Sequence, residues 1–440
     1  MNYRSLQAGL MRLLMVAGLL CMGMVAGTAR QSCAAELEFK PFLAVSEEVN
    51  DNVYQTSSNK KADYITHVSP GATFHYLTPF WTWDVADTFD YSKYAKKSVS
   101  DQYINNAVVK GKITLLDNFM YLDVSDTYSR ILLDVAQDVA AQSSLFLNQT
   151  NQNIATVSPY LSWRLSEKST LKTGYRYTDT RYWGEGIDQF DHGEFAEFKH
   201  ELTPKISLSA GYDFVRSETS SVCYDTHDVY GGFNYQYADK SSIFGKFGNT
   251  WQLFNSGENV SFPFWDAGII HDLGIAIATL DTSAQITPNP LSASTKTTSY
   301  TGKLDKTLQR GAVGLSCAYS VYENTQTGVN STQAGVNSQR KLSFSGNGRY
   351  EVWDKLIATL AVTAERFYQQ GAKPTVILPE QSTVNGFRYH LYATSGLSYS
   401  LNHDITVSLN YTYETYRNDL NDATGAIDIN RGILEVKKAF

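Results

Sequence analysis

Past its N-terminal stretch the sequence has no apolar run approaching the roughly 18 residues of a helical membrane span, which excludes a bundle of transmembrane helices. A dominant charge sign is missing too. The 37 Lys and Arg against 44 Asp and Glu leave a formal net charge of −7 and no basic stripe, so nucleic acid is not an expected partner. Cysteine is scarce: Cys21 and Cys33 lie near the start, leaving Cys223 and Cys317 for the rest. Two cysteines in an exported chain invite a disulfide. These two fall on expected strands five apart, beyond the roughly 7 Å limit on Cα separation, so free thiols are expected. Cys317 shares a face with Val313, Leu315, Tyr319 and Val321, which points it outward. Spaced metal ligands and a nucleophile-elbow glycine pattern are also lacking. His192, His200 and His227 stand as singlets on strands, where an incidental role is expected. Asn50-Asp51-Asn52 offers oxygens to a cation but not the further ligands of a calcium loop, so a turn or ladder role is expected. No enzymatic activity, cofactor or metal follows from any of this.

Residues 1–35 read as a cleavable secretory signal. Arg4 and Arg12 precede an apolar run from Leu13 to Gly27, and the small residues Ser32-Cys33-Ala34-Ala35 follow, with cleavage after Ala34 or Ala35. The run is short for a membrane anchor.

What fills the remainder, residues 36–440, is alternation. Aromatics make up 13% of the chain, with 29 Tyr, amid much Ser, Thr, Asn and Gly. From Ile405 the apolar set Ile405, Val407, Leu409, Tyr411 and Tyr413 alternates with Thr406, Ser408, Asn410, Thr412 and Glu414. That two-residue period makes a strand with one apolar and one polar face. After a polar stretch, Asn418 to Gly425, a second strand runs from about Ala426 to Phe440. A chain that stops inside a strand on an aromatic resembles the closing hairpin of a bacterial outer-membrane barrel. On that reading Phe440 is an assembly signal for the barrel assembly machinery. The last strand is expected to pair with the first around Phe39 to Val45.

Tight-turn compositions recur at Thr78-Pro79, Asp117-Asn118, Ser166-Glu167-Lys168, Thr203-Pro204-Lys205, Ala238-Asp239-Lys240, Leu273-Gly274, Gln309-Arg310-Gly311, Trp353-Asp354-Lys355 and Asn402-His403-Asp404. Longer polar connections fall between them, near 55–62, 95–100, 132–153, 184–190, 219–222, 255–259, 288–295, 326–338, 370–386 and 418–425. Short turns on one side and longer loops on the other characterise transmembrane barrels. The fold class is therefore all-β, a transmembrane antiparallel up-and-down β-barrel of about 20 strands. Eighteen is the alternative count, because Pro263, His271 and Asp281 blur the alternation between Val260 and Thr287. Ile206, Leu208, Ala210, Tyr212 and Phe214 oppose Ser207, Ser209, Gly211 and Asp213, and nothing in the sequence could cover so many apolar faces except lipid. Trp81, Trp83, Tyr177, Tyr237, Trp251 and Tyr399 near strand ends fit interfacial girdles. The expected location is the outer membrane.

Two short elements, Asn50-Asp51-Asn52-Val53-Tyr54 and Asp63 with Ser69-Pro70-Gly71, resemble those of the type 2 β-barrel porin family. That family includes outer-membrane barrels found with exopolysaccharide and exosortase (PEP-CTERM) systems. The resemblance implies an outer-membrane barrel serving polysaccharide export with a separate periplasmic polysaccharide-export protein, and it carries no enzymatic residues. A diffusion porin for small solutes and a structural or adhesive barrel with a plugged lumen are the rival readings.

The polar faces supply the candidate lumen wall: Lys172, Arg176, Glu197, Lys199, Asp213, Lys246, Lys303, Asp305, Arg349, Glu351 and Glu365. Inward Tyr121, Phe195 and Tyr322 are placed to stack on sugar faces. Leu132, Val135, Ala136 and Val139 repeat at helical spacing in the longest loop, which is expected to enter the lumen and narrow it. The stretch Lys373 to Pro379 is a second expected lid.

Overall fold

A computed structural model describes residues 35–133, 149–220, 222–257, 259–324, 338–370, 387–402, 404–419 and 425–440. The signal stretch, the body of the expected lumen loop 132–153 and the second expected lid, 373–379, lie outside the described residues; the ends of the first loop, Leu132 and Gln149 to Asn153, belong to strands. Among the described residues there is no helix, and twenty strands of 12 to 18 residues make up most of them. In order they are β1 (Glu36–Asn50), β2 (Asp63–Leu77), β3 (Trp81–Tyr94), β4 (Gln102–Leu116), β5 (Met120–Leu132), β6 (Gln149–Ser166) and β7 (Ser169–Trp183). There follow β8 (Gln189–Thr203), β9 (Ile206–Thr219), β10 (Cys223–Ala238), β11 (Ser241–Phe254), β12 (Asn259–Asp272), β13 (Ile277–Asn289) and β14 (Ser292–Leu308). The last six are β15 (Gly311–Asn324), β16 (Ser338–Trp353), β17 (Leu356–Gln370), β18 (Tyr389–Ser400), β19 (Ile405–Arg417) and β20 (Ile427–Ala439).

Each strand pairs antiparallel with the next, and β1 pairs with β20 from Phe42↔Ala439 to Asn50↔Arg431. The sheet closes on itself, so no edge is left to aggregate or to face lipid unpaired. Every strand exceeds the roughly 9–11 residues a tilted strand needs to cross a bilayer. Pro41 is the sixth residue of β1. It is accommodated there because β20 pairs only from Phe42 onward, and the Pro41 carbonyl accepts from the Phe440 N–H at 3.0 Å.

All nine expected tight turns connect strands. Asn118, Lys240 and Lys355 take φ of 57°, 51° and 66°, and Gly274 takes 79°, the left-handed conformations that reverse a hairpin in two to four residues. One connection expected to be long is short. Only Pro290 and Leu291 join β13 to β14, because the Asn289 side chain accepts from the Leu291 N–H at 2.9 Å and closes a local turn. The region expected to be weakest resolves as β12 and β13, fixing the count at twenty.

The two faces separate cleanly. Leu315, Leu280, Leu434 and Leu409 are 63%, 61%, 53% and 54% exposed with nothing packed over them. Their strand neighbours on the opposite face carry the hydroxyls and charges. Cys223 and Cys317 are free, and Cys317 is exposed among the outward residues. The six expected girdle aromatics all fall on outward positions; Trp251 and Tyr399, for example, are 41% and 44% exposed.

Candidate functional site

The inner wall is where the structure concentrates polar chemistry. Arg176, Glu197, Lys199, Asp213, Lys246, Lys303, Asp305, Arg349, Glu351 and Glu365 each occupy the face opposite exposed apolar neighbours such as Phe198, Tyr212, Phe247, Leu304, Tyr350 and Leu360. A barrel of twenty strands is wider than the sixteen-stranded ones that already hold an aqueous channel. The ten residues do not form one cluster. Lys303, Asp305, Arg349 and Glu351 lie toward the short-turn end of β14 and β16 and take part in no ion pair among the described residues. The others belong to two differently built sectors.

The first sector is ionic and spans the seam. Lys341 Nζ lies 3.1 Å from Glu365, whose other oxygen is 2.9 Å from His390 Nδ1. His390 Nε2 is 3.1 Å from Glu414, which also receives Arg431 at 3.1 Å. Across the β20–β1 junction Arg431 pairs with Asn50, two residues from Glu48 on the same face of β1; Glu48 contacts His67 Nε2 at 3.3 Å, and His67 Nδ1 contacts Asp90 at 3.1 Å. Eight groups on eight successive strands, β16 to β20 and β1 to β3, thus run in strictly alternating sign. Each histidine faces a carboxylate on both ring nitrogens, an arrangement that only the imidazolium satisfies as a donor on both sides. His390 also stacks on Tyr416 at 4.4 Å, and the Tyr416 hydroxyl donates to Glu414 at 2.5 Å. Glu365, His390, Glu414, Arg431 and Glu48 are all buried and bind strands to one another, while His67 and Asp90 at the far end are partly exposed. Of its members only Glu365 stands among the residues expected from the sequence.

The second sector lies on β4 to β12 and alternates rings with cations. Lys112 stands over Tyr121 at 5.1 Å, Lys172 over Tyr160 at 5.9 Å and Arg176 over Phe195 at 5.3 Å. Lys246 stands over Tyr230 at 3.6 Å and over Phe264 at 5.7 Å. Glycines seat these rings. A Cβ on Gly174 would fall 2.6 Å from the Phe195 ring, and one on Gly248 would fall 2.5 Å from the Phe264 ring. The rings therefore lean across the neighbouring strand and lie along the wall. Tyr322 is inward on β15 but belongs to neither sector.

The Asn50–Tyr54 element builds the mouth at the seam. Asn52 N–H donates to the Asn50 side chain at 3.0 Å, and Asn52 Nδ2 donates to the carbonyls of Thr56 and Asp428 at 2.8 and 3.1 Å. Val53 turns inward and packs on Ile65 and Tyr94. Asp63 accepts from the N–H groups of Tyr64 and Lys96, both at 2.8 Å, and from Ser98, while the Tyr54 hydroxyl donates to the Ser98 carbonyl. Gly71 leaves room for the Phe42 ring on the inner wall, and Pro70 pairs with Leu43 on the outer face. The role of the element is thus to order loops and strands. Among the described residues no group of three or more potential ligands could hold a metal ion.

No family model and no curated protein sequence matches the chain. Among solved structures it is similar to the FrpB iron transporter of Neisseria meningitidis (F5-1 variant), with a TM-score of 0.54 at 10% identity over 91% of this chain and 82% of that one. It is similar also to a mutant of the ferric enterobactin receptor PfeA of Pseudomonas aeruginosa, with a TM-score of 0.51 at 10% identity over 92% and 80% of the two chains. At such identity the likeness is one of fold: the chain is an outer-membrane β-barrel. Its uncovered apolar belt and closed backbone pairing belong in that membrane.

Proposed function

We propose that this barrel is an outer-membrane channel for a hydrated polar polymer, an extracellular polysaccharide leaving the cell. The observation that carries the reading is the inner wall, which offers acids, bases, hydroxyls and ring faces from the short-turn end to the mouth. A sugar chain moving along such a wall exchanges hydrogen bonds with water for hydrogen bonds with the protein, and the lipid barrier is bypassed. Hydroxyl pairs add to this, Ser283 with Ser299 at 2.9 Å and Thr394 with Thr412 at 2.8 Å. Passage is passive and involves no bond-making step. Direction comes from synthesis at the inner membrane and from a separate periplasmic export protein, a partner that the resemblance of the Asn50–Gly71 elements supports. The iron and ferric enterobactin named for the two similar structures are cargo of those proteins, and likeness at 10% identity does not bring them here.

Deleting the protein from its producing strain and measuring cell-surface and secreted polysaccharide tests the reading. Loss of surface polymer, restored by the wild-type chain, is expected. Normal polymer together with steady conductance would make the barrel a diffusion porin instead. Normal polymer without conductance would make it a structural surface protein.

A further inference from the structure

The ring-bearing sector of the wall is a directional feature: its rings follow one another across β4 through β12, while Phe42 on β1, with Lys437 Nζ 3.9 Å from its ring centroid, stands apart. Tyr121, Tyr160 and Phe195 fall in one cross-strand row: Tyr121 pairs with Tyr160, Tyr160 with Gly174, and Gly174 with Phe195. Tyr230 and Phe264 form the adjoining row through Gly248. Neighbouring strands lie about 4.8 Å apart and are tilted to the barrel axis by roughly 35–45°, so a cross-strand row climbs as it circles. The rings thus sit on a rising path at intervals of one or two strand widths.

Charge on this path is balanced overall, with Arg176 and Lys199 against Asp213 and Asp228 outside the directly opposed pairs. Lys112 lies directly across from Asp123, Lys172 from Glu197 and Lys246 from Asp266. None of the cations Lys112, Lys172, Arg176 and Lys246 forms an ion pair among the described residues. Lys112, Lys172 and Arg176 are exposed to the lumen. Each pair is therefore a donor and an acceptor held apart beside a ring face. Vicinal hydroxyls of a pyranose need that combination, because they both donate and accept while the apolar face of the sugar covers the ring. An acidic glycan would meet as many carboxylates as cations along the same path and gain nothing from its charge.

We infer that β4–β12 form a spiral track for an uncharged glycan chain, whose successive sugars lie on Tyr121, Tyr160, Phe195, Tyr230 and Phe264 between acid–base pairs. This rests on the channel reading above and narrows its cargo to neutral sugars. The cation that stands over each ring is on a flexible stem, and it swings from the ring face to the hydroxyls of the sugar that replaces it.

The test is calorimetric titration of the detergent-folded barrel with maltoheptaose, cellopentaose and mannopentaose as neutral probes, and with oligogalacturonate as the acidic one. Binding of at least one neutral probe is expected, with oligogalacturonate weaker. Replacing Tyr230→Leu should weaken binding about tenfold, the scale of one well-packed ring contact. Combining Tyr160→Leu, Phe195→Leu and Tyr230→Leu should abolish it, whereas Tyr392→Leu, across from Glu414 on the inner face of β18 and off the track, should leave it unchanged. If the combined variant fails to fold, the single replacements carry the comparison. No binding of any neutral probe, preference for oligogalacturonate, or equal loss from Tyr392→Leu would each overturn the track. Normal polymer in a deletion strain with intact binding by the purified barrel would refute export and leave the track standing.

Discussion

Asp51 and Asn430, 379 residues apart in the chain, join the first and last strands at the mouth of the barrel. The Asp51 carboxylate accepts from the Asn430 N–H at 2.8 Å and from its Nδ2 at 2.7 Å, and the Asp51 N–H donates to the Asn430 carbonyl at 3.2 Å. The backbone ladder of β1 and β20 ends one residue earlier, at Asn50 and Arg431. Asp51→Ala removes two charge-assisted hydrogen bonds and should lower stability by about 1–3 kcal/mol. A downward shift in the urea midpoint of unfolding from detergent or liposomes checks it, and an unchanged midpoint would show that the seam does not depend on this contact.

Glu414 is the hub of the ionic sector, with His390 and Arg431 both at 3.1 Å. Glu414→Ala would leave two buried cationic groups facing each other, at a cost of about 3–5 kcal/mol. Glu414→Gln keeps an acceptor and should cost less. The ordering Ala below Gln below wild type, read as the temperature at which the folded band is lost on a semi-native gel, is the expected outcome. Equal behaviour of all three would mean that the alternating charges stabilise nothing.

Gly71 and Gly432 make opposite predictions from one substitution. A Cβ at Gly71 would lie 2.8 Å from the backbone oxygen of Asp87 and collide with the Phe42 ring, whereas Gly432 has nothing within 4 Å. Gly71→Ala should destabilise by about 1–3 kcal/mol through overpacking. Gly432→Ala should be neutral or stabilise by up to about 1 kcal/mol, because alanine has less backbone freedom to lose. Comparison of the two unfolding midpoints decides it; similar midpoints would contradict the close seating of Phe42.

Phe440 is 67% exposed on the outer face at the short-turn end, with Lys438 Nζ 4.8 Å from its ring. That lysine sits where an apolar residue would be usual, close enough to the membrane boundary to snorkel into water. Phe440→Ala should reduce the amount of heat-modifiable barrel in outer-membrane fractions. Wild-type levels would remove the residue from the assembly pathway.

Strand faces and tight turns were legible because each depends on a few adjacent residues. The two-residue period of Ile405 to Glu414 needs no partner strand to be read, and Asn118, Lys240 and Gly274 announce their turns locally. Closure followed from the same logic, although the pairing of β20 with β1 runs over Phe42–Asn50 and only partly overlaps the expected Phe39–Val45. The ionic sector was not legible. Lys341, Glu365, His390, Glu414 and Arg431 lie on five different strands, and their contacts depend on the register of four pairings at once. His390 gave no local signal that separates it from an incidental strand histidine. The Pro290-Leu291 connection was misjudged because Pro, Asn and Ser around it have the composition of a loop while Asn289 makes a turn.

A hydrated inner wall that passes a polar chain is measured by efflux from proteoliposomes. Vesicles carrying the full barrel and loaded with a fluorescent neutral oligosaccharide should release it far faster than protein-free vesicles. Retention equal to that of protein-free vesicles, with no conductance in planar bilayers, would contradict the account.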